Sequence, residues 1–155
     1  MIGFDTSLCD ARRVLVLDTA AFLARLQLSL FCFEMITSPR VVDEVKDLES
    51  RLGIELIEGL NRVSVREPRD DSRERARRTA ESMGLLKRLS ETDIDVVALA
   101  IEELAKGRRV SIVTDDYSVQ LIAKSIGADY IPVKTLGIDR AKRLARKRSY
   151  VTRRS

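Results

Sequence analysis

Short apolar strands alternate with longer helical segments along this chain. Residues 14–17 read VLVL, an apolar run of the length expected for a strand buried on both faces. Periodicity predicts further strands at 33–36, 62–67, 110–113 and 129–133. It predicts helices at 18–30, 39–52, 69–83, 90–106 and 115–126, with a short one at 54–60. Apolar strands separated by helices predict an α/β fold in which helices enclose a central parallel sheet.

Size and composition indicate one globular domain. The chain has 155 residues, of which 45% are hydrophobic and 34% are charged. No apolar run approaches the roughly 18 residues that a membrane span needs. The N-terminal segment carries acids and lacks a basic start followed by a long hydrophobic stretch, so we expect no signal peptide. We therefore predict a cytoplasmic protein without a membrane partner.

The absence of histidine limits the chemistry available to this chain. It excludes Ser-His-Asp and Cys-His catalysis, zinc bound by histidine, and acid/base catalysis by imidazole. The two cysteines, Cys9 and Cys32, are far apart and form no CxxC motif, so we expect two ordinary thiols rather than a disulfide. Any catalysis must use carboxylates, hydroxyls, lysine or a hard cation.

Acidic residues lie where predicted strands end and helices begin. The carboxyl ends of parallel strands meet at one edge of a sheet, so acids at several strand ends can converge there. Oxygen ligands without histidine suit Mg²⁺, and a cation would neutralise carboxylates that otherwise repel one another. The candidate acids are Asp18, Glu44, Asp93, Asp115 and Asp116.

Each of these acids also has an ordinary structural explanation. Asp18 and Asp115 stand at N-cap positions, and Asp93 lies three residues after Ser90, as in a capping box. Glu44 lies inside a helix, where a solvated acid is common. Thr114 and Ser118 are candidates for orienting water or phosphate through their hydroxyls, with local helix and turn bonding as the alternative. Asp95 is expected at the surface or behind the ligands.

The C-terminal residues reverse the net charge of the chain. Residues 1–139 carry a net charge of −4, whereas the whole chain is at +4, because residues 140–155 contain eight basic residues and no acid. A basic tail on an acidic body suits nucleic-acid phosphates, and a solvated tail without a partner is the alternative. The candidate RNA-binding residues are Arg140, Lys142, Arg143, Arg146, Lys147 and Arg148.

Four segments of the chain resemble successive motifs of PIN-domain ribonucleases. They are VLVLDTAAFL, SPRVVDEVKD, LSETDIDVVALAIEEL and VTDDYSVQLIAKSIG. The LSETD and TDDYSVQ segments are most similar to the Nob family, which matures small-subunit ribosomal RNA. The resemblance covers residues 14–138. It implies a three-layer α/β/α sandwich and Mg²⁺- or Mn²⁺-dependent endonuclease action on single-stranded RNA, leaving a 3′-hydroxyl and a 5′-phosphate.

The resemblance also implies roles for the acids. Matched by position, the catalytic acids of the family fall on Asp18, Glu44, Asp93 and Asp116. Asp18, Asp93 and Asp116 are the implied metal ligands, with Asp115 as the alternative to Asp116. We favour Asp116 because the family commonly places this acid two residues after the threonine that ends a strand, here Thr114. The resemblance divides the chain into an extension at 1–13, a nuclease domain at 14–138 and a basic tail at 139–155.

One feature departs from the Nob pattern. Proteins of that type resemble a PIN domain joined to a zinc ribbon, but here no paired cysteines follow Cys32. Either the basic tail replaces the ribbon as an RNA contact, or a zinc ribbon lies on a separate partner chain. The expected partners are RNA, in the form of pre-rRNA or the small ribosomal subunit, and a second copy of the chain, because PIN domains often pair.

Three other functions stay open at this point. The first is a toxin-type PIN ribonuclease from a toxin–antitoxin pair. The second is a non-catalytic RNA-binding factor in ribosome assembly that keeps the fold and the tail. A receiver-like signalling domain ranks last, because it expects its acidic pair early in the chain, whereas the Asp115–Asp116 pair is late.

Overall fold

A five-stranded parallel sheet forms the centre of the molecule. The computed structural model describes residues 12–30 and 32–134. Every neighbouring pair of strands in the sheet is parallel, and the spatial order is β3-β2-β1-β4-β5. The strands are β1 (Arg13–Leu17), β2 (Glu34–Thr37), β3 (Val63–Val65), β4 (Arg109–Val113) and β5 (Asp129–Ile131). This sheet confirms the predicted α/β fold.

Within the described ranges, five α-helices connect the strands or pack on the sheet. They are α1 (Thr19–Leu23), α2 (Pro39–Leu52), α3 (Asp70–Ser82), α4 (Glu91–Ala105) and α5 (Tyr117–Ile126). Local signals begin and end α2 as predicted. Ser38 accepts a hydrogen bond from the backbone N–H of Val41, Pro39 opens the helix, and Gly53 ends it with a left-handed φ of 63°.

Strand β1 and helix α4 form the middle of the core. Residues 14–17 of β1 and residues 96–100 of α4 are all 0% exposed. Helix α4 contacts β1 and β4 as well as the neighbouring helices α3 and α5. A helix surrounded in this way must be apolar on most of its faces, which is why its burial extends beyond the single stripe that its periodicity suggests.

The helix predicted over 18–30 is wrong beyond Leu23. Arg25 takes a left-handed backbone conformation with a φ of 56°, and a 3₁₀ helix follows at Leu26–Leu28. The buried amide of Gln27 donates to the carbonyls of Leu56 and Glu58, at 2.8 and 3.0 Å. These long-range bonds hold residues 54–58 as a loop, so the short helix predicted at 54–60 is also wrong.

Two further predictions need correction. Asp95 is not at the surface, because it is 0% exposed and forms ion pairs with Arg73 and Arg40. Cys32 is disulfide-bonded rather than an ordinary thiol, and Cys9 lies outside the described residues. Among the helices of the described ranges, none is both long and apolar enough to cross a membrane.

Candidate active site

The pairing of β1 with β4 brings two polar side chains together at the carboxyl edge of the sheet. Leu17 lies opposite Val113 in the parallel register, so the next residues, Asp18 and Thr114, leave the sheet side by side. The backbone N–H of Asp18 donates to the carbonyl of Val113 at 3.2 Å. The hydroxyl of Thr114 donates to Oδ2 of Asp18 at 2.8 Å. This contact joins residues that are 96 positions apart.

Asp18 is a nearly buried carboxylate at the start of α1. Its side chain is the N-cap of the helix and accepts the backbone N–H of Thr19 at 2.7 Å, and the residue is 9% exposed. Burial raises the pKa of Asp18 to about 6, and the negative charges of Asp93 and Glu44 add to that rise. The hydrogen bonds from Thr114 and Thr19 lower the same pKa but do not offset the burial.

Asp116 stands at the N-terminus of α5. Its side chain accepts the backbone N–H of Val119 at 3.2 Å. Its own backbone N–H donates to the hydroxyl oxygen of Thr114 at 3.1 Å. Thr114 therefore links Asp18 and Asp116 through one hydroxyl group. Its contact with the backbone N–H of Asp116 is the local turn bonding given as the alternative to orienting water or phosphate. Ser118, the second hydroxyl candidate, is buried in α5.

Asp93 belongs to a capping box at the start of α4. Its carboxylate accepts the backbone N–H of Ser90 at 2.9 Å, and its backbone N–H donates to the Ser90 hydroxyl at 3.1 Å. Burial raises the pKa of Asp93, and the charges of Asp116 and Glu44 raise it further, against the lowering effect of the Ser90 hydrogen bonds. Capping and electrostatic coupling to the other acids therefore coexist in this residue.

Glu44 reaches the same site from the exposed side of α2. Its two carboxylate oxygens accept hydroxyl hydrogen bonds, from Thr19 at 2.8 Å and from Thr92 at 2.6 Å. Thr19 and Thr92 are polar members of the site that were missed in the sequence. Each directly adjoins a candidate acid, Asp18 or Asp93, and that adjacency was the signal available for finding them.

The Asp115 side chain makes its hydrogen bond outside this arrangement. The side chain of Asp115 accepts the backbone N–H of Lys134 at 3.0 Å, so it ties the α5 side of the molecule to the segment after β5. The candidate RNA-binding residues of the tail lie outside the described residues. They are Arg140, Lys142, Arg143, Arg146, Lys147 and Arg148.

The site provides oxygen donors and excess negative charge. Within residues 12–30 and 32–134, no three acids are close enough together to hold one metal ion by themselves. A cation that takes only one or two carboxylates and keeps several waters does not need such a group, and Mg²⁺ binds in this way. Burial, and to a smaller extent the neighbouring carboxylates, raises the pKa values of Asp18 and Asp93, and a bound cation would stabilise their ionised forms. The donor chemistry therefore fits a hard divalent cation.

Known proteins resemble this chain over most of its length. The family described as the PIN domain of ribonuclease matches residues 15–102, a span that includes Asp18, Glu44 and Asp93 and ends before Asp116. Ribonuclease VapC3 of Aeropyrum pernix is 39% identical over 81% of this chain and 90% of its own length. Endoribonuclease Nob1 of Pyrococcus abyssi is 37% identical over 77% of this chain and 68% of its own length.

One solved structure is similar to this chain at the level of the backbone. It is a PilT N-terminus domain protein from Sulfolobus solfataricus P2, with a TM-score of 0.48 and 18% sequence identity. The match covers 79% of this chain and 89% of the other.

Proposed function

This chain belongs to the PIN domain family of ribonucleases, and from that premise we propose a metal-dependent endoribonuclease that cleaves single-stranded RNA. The observation that carries the proposal is the electrostatic coupling of acids from four separate segments. Asp18 is coupled to Asp93 and Glu44, and Asp93 is coupled to Asp116 and Glu44. Carboxylates with raised pKa values, here Asp18 and Asp93, at one edge of a parallel sheet are typical of a catalytic site.

Asp18, Asp93 and Asp116 are the proposed metal ligands. A bound Mg²⁺ or Mn²⁺ would lower the pKa of an attacking water and neutralise the scissile phosphate, giving a 5′-phosphate and a 3′-hydroxyl. Asp116 is preferred to Asp115 because its charge acts on Asp93, whereas the Asp115 side chain is bonded to the Lys134 backbone.

The remaining polar residues hold the acids in place. Thr114 bridges Asp18 and Asp116, which restricts the rotation of the Asp18 carboxylate. Thr19 and Thr92 each donate to a different oxygen of Glu44, so its carboxylate has a defined orientation although the side chain is exposed. We propose that Glu44 either completes the ligand set or orients the attacking water. Both tasks require a carboxylate of fixed direction.

We propose maturation of small-subunit rRNA as the biological role. The LSETD and TDDYSVQ segments and the similarity to a protein named Nob1 support this role. The proposed setting is cytoplasmic, with pre-rRNA or the small subunit as the partner and with pairing to a second copy or to a zinc-ribbon chain as further possibilities. The nuclease domain is proposed to span 14–138, between an extension at 1–13 and the tail at 139–155.

A toxin-type ribonuclease is the second candidate. It is favoured by the similarity to a protein named VapC3, which matches this chain at 39% identity, against 37% for the Nob1 protein. Induced expression of the chain alone distinguishes the two, because a toxin should stop growth and an rRNA-processing enzyme should not. The Asp18→Asn chain should relieve any arrest that depends on cleavage. A third candidate, a non-catalytic assembly factor, predicts RNA binding without cleavage.

The test is cleavage of a pre-rRNA fragment by the full chain in Mn²⁺, Mg²⁺ or EDTA, with both ends of each product mapped. We expect cleavage with either cation, none in EDTA, and a loss of about a hundredfold or more for Asp18→Asn and for Asp93→Asn. Asp47→Asn, an exposed acid on α2, is the matched control and should keep full activity. Undiminished cleavage by both site variants would refute the proposed catalytic residues.

A further inference from the structure

An exposed tyrosine stands next to the acidic site. Tyr117 follows Asp116 directly, is the first residue of α5, and has 68% of its surface exposed. The other aromatic residues in the described part of the chain are buried or partly buried: Phe22, Phe33 and Tyr130. Tyr117 is therefore the one aromatic side chain, among residues 12–30 and 32–134, that is presented mainly to solvent.

Leu121 extends the apolar surface of Tyr117 along α5. It lies four residues later, on the same side of the helix, and is 36% exposed. The opposite side of α5 enters the core through Val119, Ile122 and Ala123, which are each 0% exposed. The helix thus presents a small apolar surface, made of Tyr117 and Leu121, at the end where the Asp116 side chain caps it.

We propose that Tyr117 is a base-stacking subsite, where its ring packs against an unpaired base of the RNA strand whose phosphate lies at the acids. The inference rests on the proposed function. A planar base matches an exposed aromatic ring, and only an unpaired base can offer its face, so the subsite selects single-stranded RNA. By themselves, Tyr117 and Leu121 form a surface far smaller than the roughly 800 Å² that each side of a standard protein interface buries.

The first test is RNA affinity measured in an Asp18→Asn background, so that cleavage does not consume the ligand. The probe is a fluorescent single-stranded RNA of about 10 nucleotides, followed by anisotropy. We expect Tyr117→Ala to weaken binding about tenfold, and Tyr117→Phe and Tyr117→Trp to stay within about twofold, because stacking needs the ring and not the hydroxyl. Leu52→Ala, 55% exposed at the end of α2, is the control and should change nothing.

The second test removes the base instead of the ring. Abasic nucleotides are placed one at a time along the same RNA. At one position the abasic substitution should weaken binding about tenfold with Tyr117 present and cause no additional weakening in the Tyr117→Ala chain. Such coupling identifies the stacked base and separates stacking from a general effect on α5.

Several outcomes would overturn the subsite. The first is an equal loss of affinity in the Tyr117→Phe and Tyr117→Ala variants, which would assign the effect to the hydroxyl. The second is that no abasic position shows coupling to Tyr117. A drop in melting temperature that accounts for the weaker binding would assign it to folding. Binding is measured without cleavage, so the two proposals can fail separately. If Tyr117 shows this coupling but the wild-type protein never cuts RNA in Mn²⁺, the proposed function is refuted and the subsite stands.

Discussion

Three acids of the candidate site are also capping residues. The Asp18 and Asp116 side chains occupy N-cap positions, and Asp93 closes a capping box, so backbone N–H groups at three helix N-termini hold these carboxylates. The partial positive charge of a helix N-terminus favours a carboxylate. Burial acts in the opposite direction and is the largest cause of the raised pKa values of Asp18 and Asp93. The capping contacts therefore orient the acids while burial keeps them poorly solvated.

The raised pKa of Asp18 predicts a dependence of stability on pH. Because the folded value is about 6 and the ordinary value is 3.8, the native state holds the proton more tightly between these pH values. The free energy of unfolding should therefore fall as pH rises from about 4 to about 6, by up to about 3 kcal/mol from Asp18 alone. Asp18→Asn should remove this contribution and stabilise the protein at a pH of about 7.5 by about 1–3 kcal/mol.

Urea unfolding at several pH values without divalent cations checks this prediction. The difference in the free energy of unfolding between the wild type and Asp18→Asn isolates the Asp18 carboxylate from others that also titrate, such as Asp93. Asp47→Asn, exposed on α2, should leave the pH profile unchanged. If the wild-type and Asp18→Asn profiles stay parallel from a pH of about 4 to about 7.5, burial does not raise the Asp18 pKa in solution.

At the scale of elements, a buried ion pair joins α3 to α4. Ala76 and Ala80 are 0% exposed on the inner side of α3, and beside them Arg73 donates from Nε to Asp95 at 2.8 Å. Asp95 is itself 0% exposed, and Arg40 on α2 approaches it at 3.3 Å. One carboxylate thus connects three helices, which positions the first turn of α4 where Asp93 lies.

Removing that carboxylate should destabilise the fold. Asp95→Ala leaves the Arg73 guanidinium, whose side chain is 12% exposed, without its buried partner. We expect the free energy of unfolding in urea to fall by about 3 kcal/mol. Replacing both partners, in an Arg73→Met and Asp95→Leu chain, should recover much of that stability.

An exposed ion pair at the start of α3 provides the comparison for the Asp95→Ala prediction. Arg69 and Asp71 form an ion pair whose side chains are 68% and 71% exposed. Arg69→Ala should cost less than about 1 kcal/mol, because solvent screens the pair. An Asp95→Ala effect as small as that of Arg69→Ala would mean that the buried pair does not hold the two helices together.

At the scale of the whole molecule, charge is divided between an acidic body and a basic tail. The body carries −4 over residues 1–139, whereas residues 140–155 contribute eight positive charges. A polyanion such as RNA should therefore be attracted mainly to the tail, because the acids of the candidate site repel a phosphate unless a cation neutralises them.

Deleting residues 140–155 should weaken RNA binding and flatten its salt dependence. For each phosphate that the tail no longer neutralises, the slope of log K against log salt should become shallower by about 0.7 for a single strand. Binding titrations from about 50 to about 300 mM salt measure this slope. A chain of full length with the eight basic residues changed to glutamine separates charge from length and should behave like the deletion. An unchanged slope in both would mean that the tail does not bind phosphates.

Local sequence signals predicted most of the elements. Ser38 with Pro39 marked the start of α2, Ser90 with Asp93 marked that of α4, and the apolar run at 14–17 marked the central strand. The prediction failed at Arg25, because the amide of Gln27 bonds to carbonyls 29 and 31 positions away and the chain turns before a longer helix can form. Periodicity contains no information about such a partner.

The sequence by itself determined which residue types were available for chemistry and where along the chain they stood. With no histidine, and with acids at predicted strand ends and helix starts, a carboxylate site at the sheet edge was foreseeable. Tertiary structure decided which acids meet: the register of Leu17 with Val113 pairs Asp18 with Thr114, Glu44 meets Thr92, and Asp115 turns to Lys134. Caps and periodicity act over about four residues. These contacts join residues 19 to 96 positions apart and depend on how the strands pair.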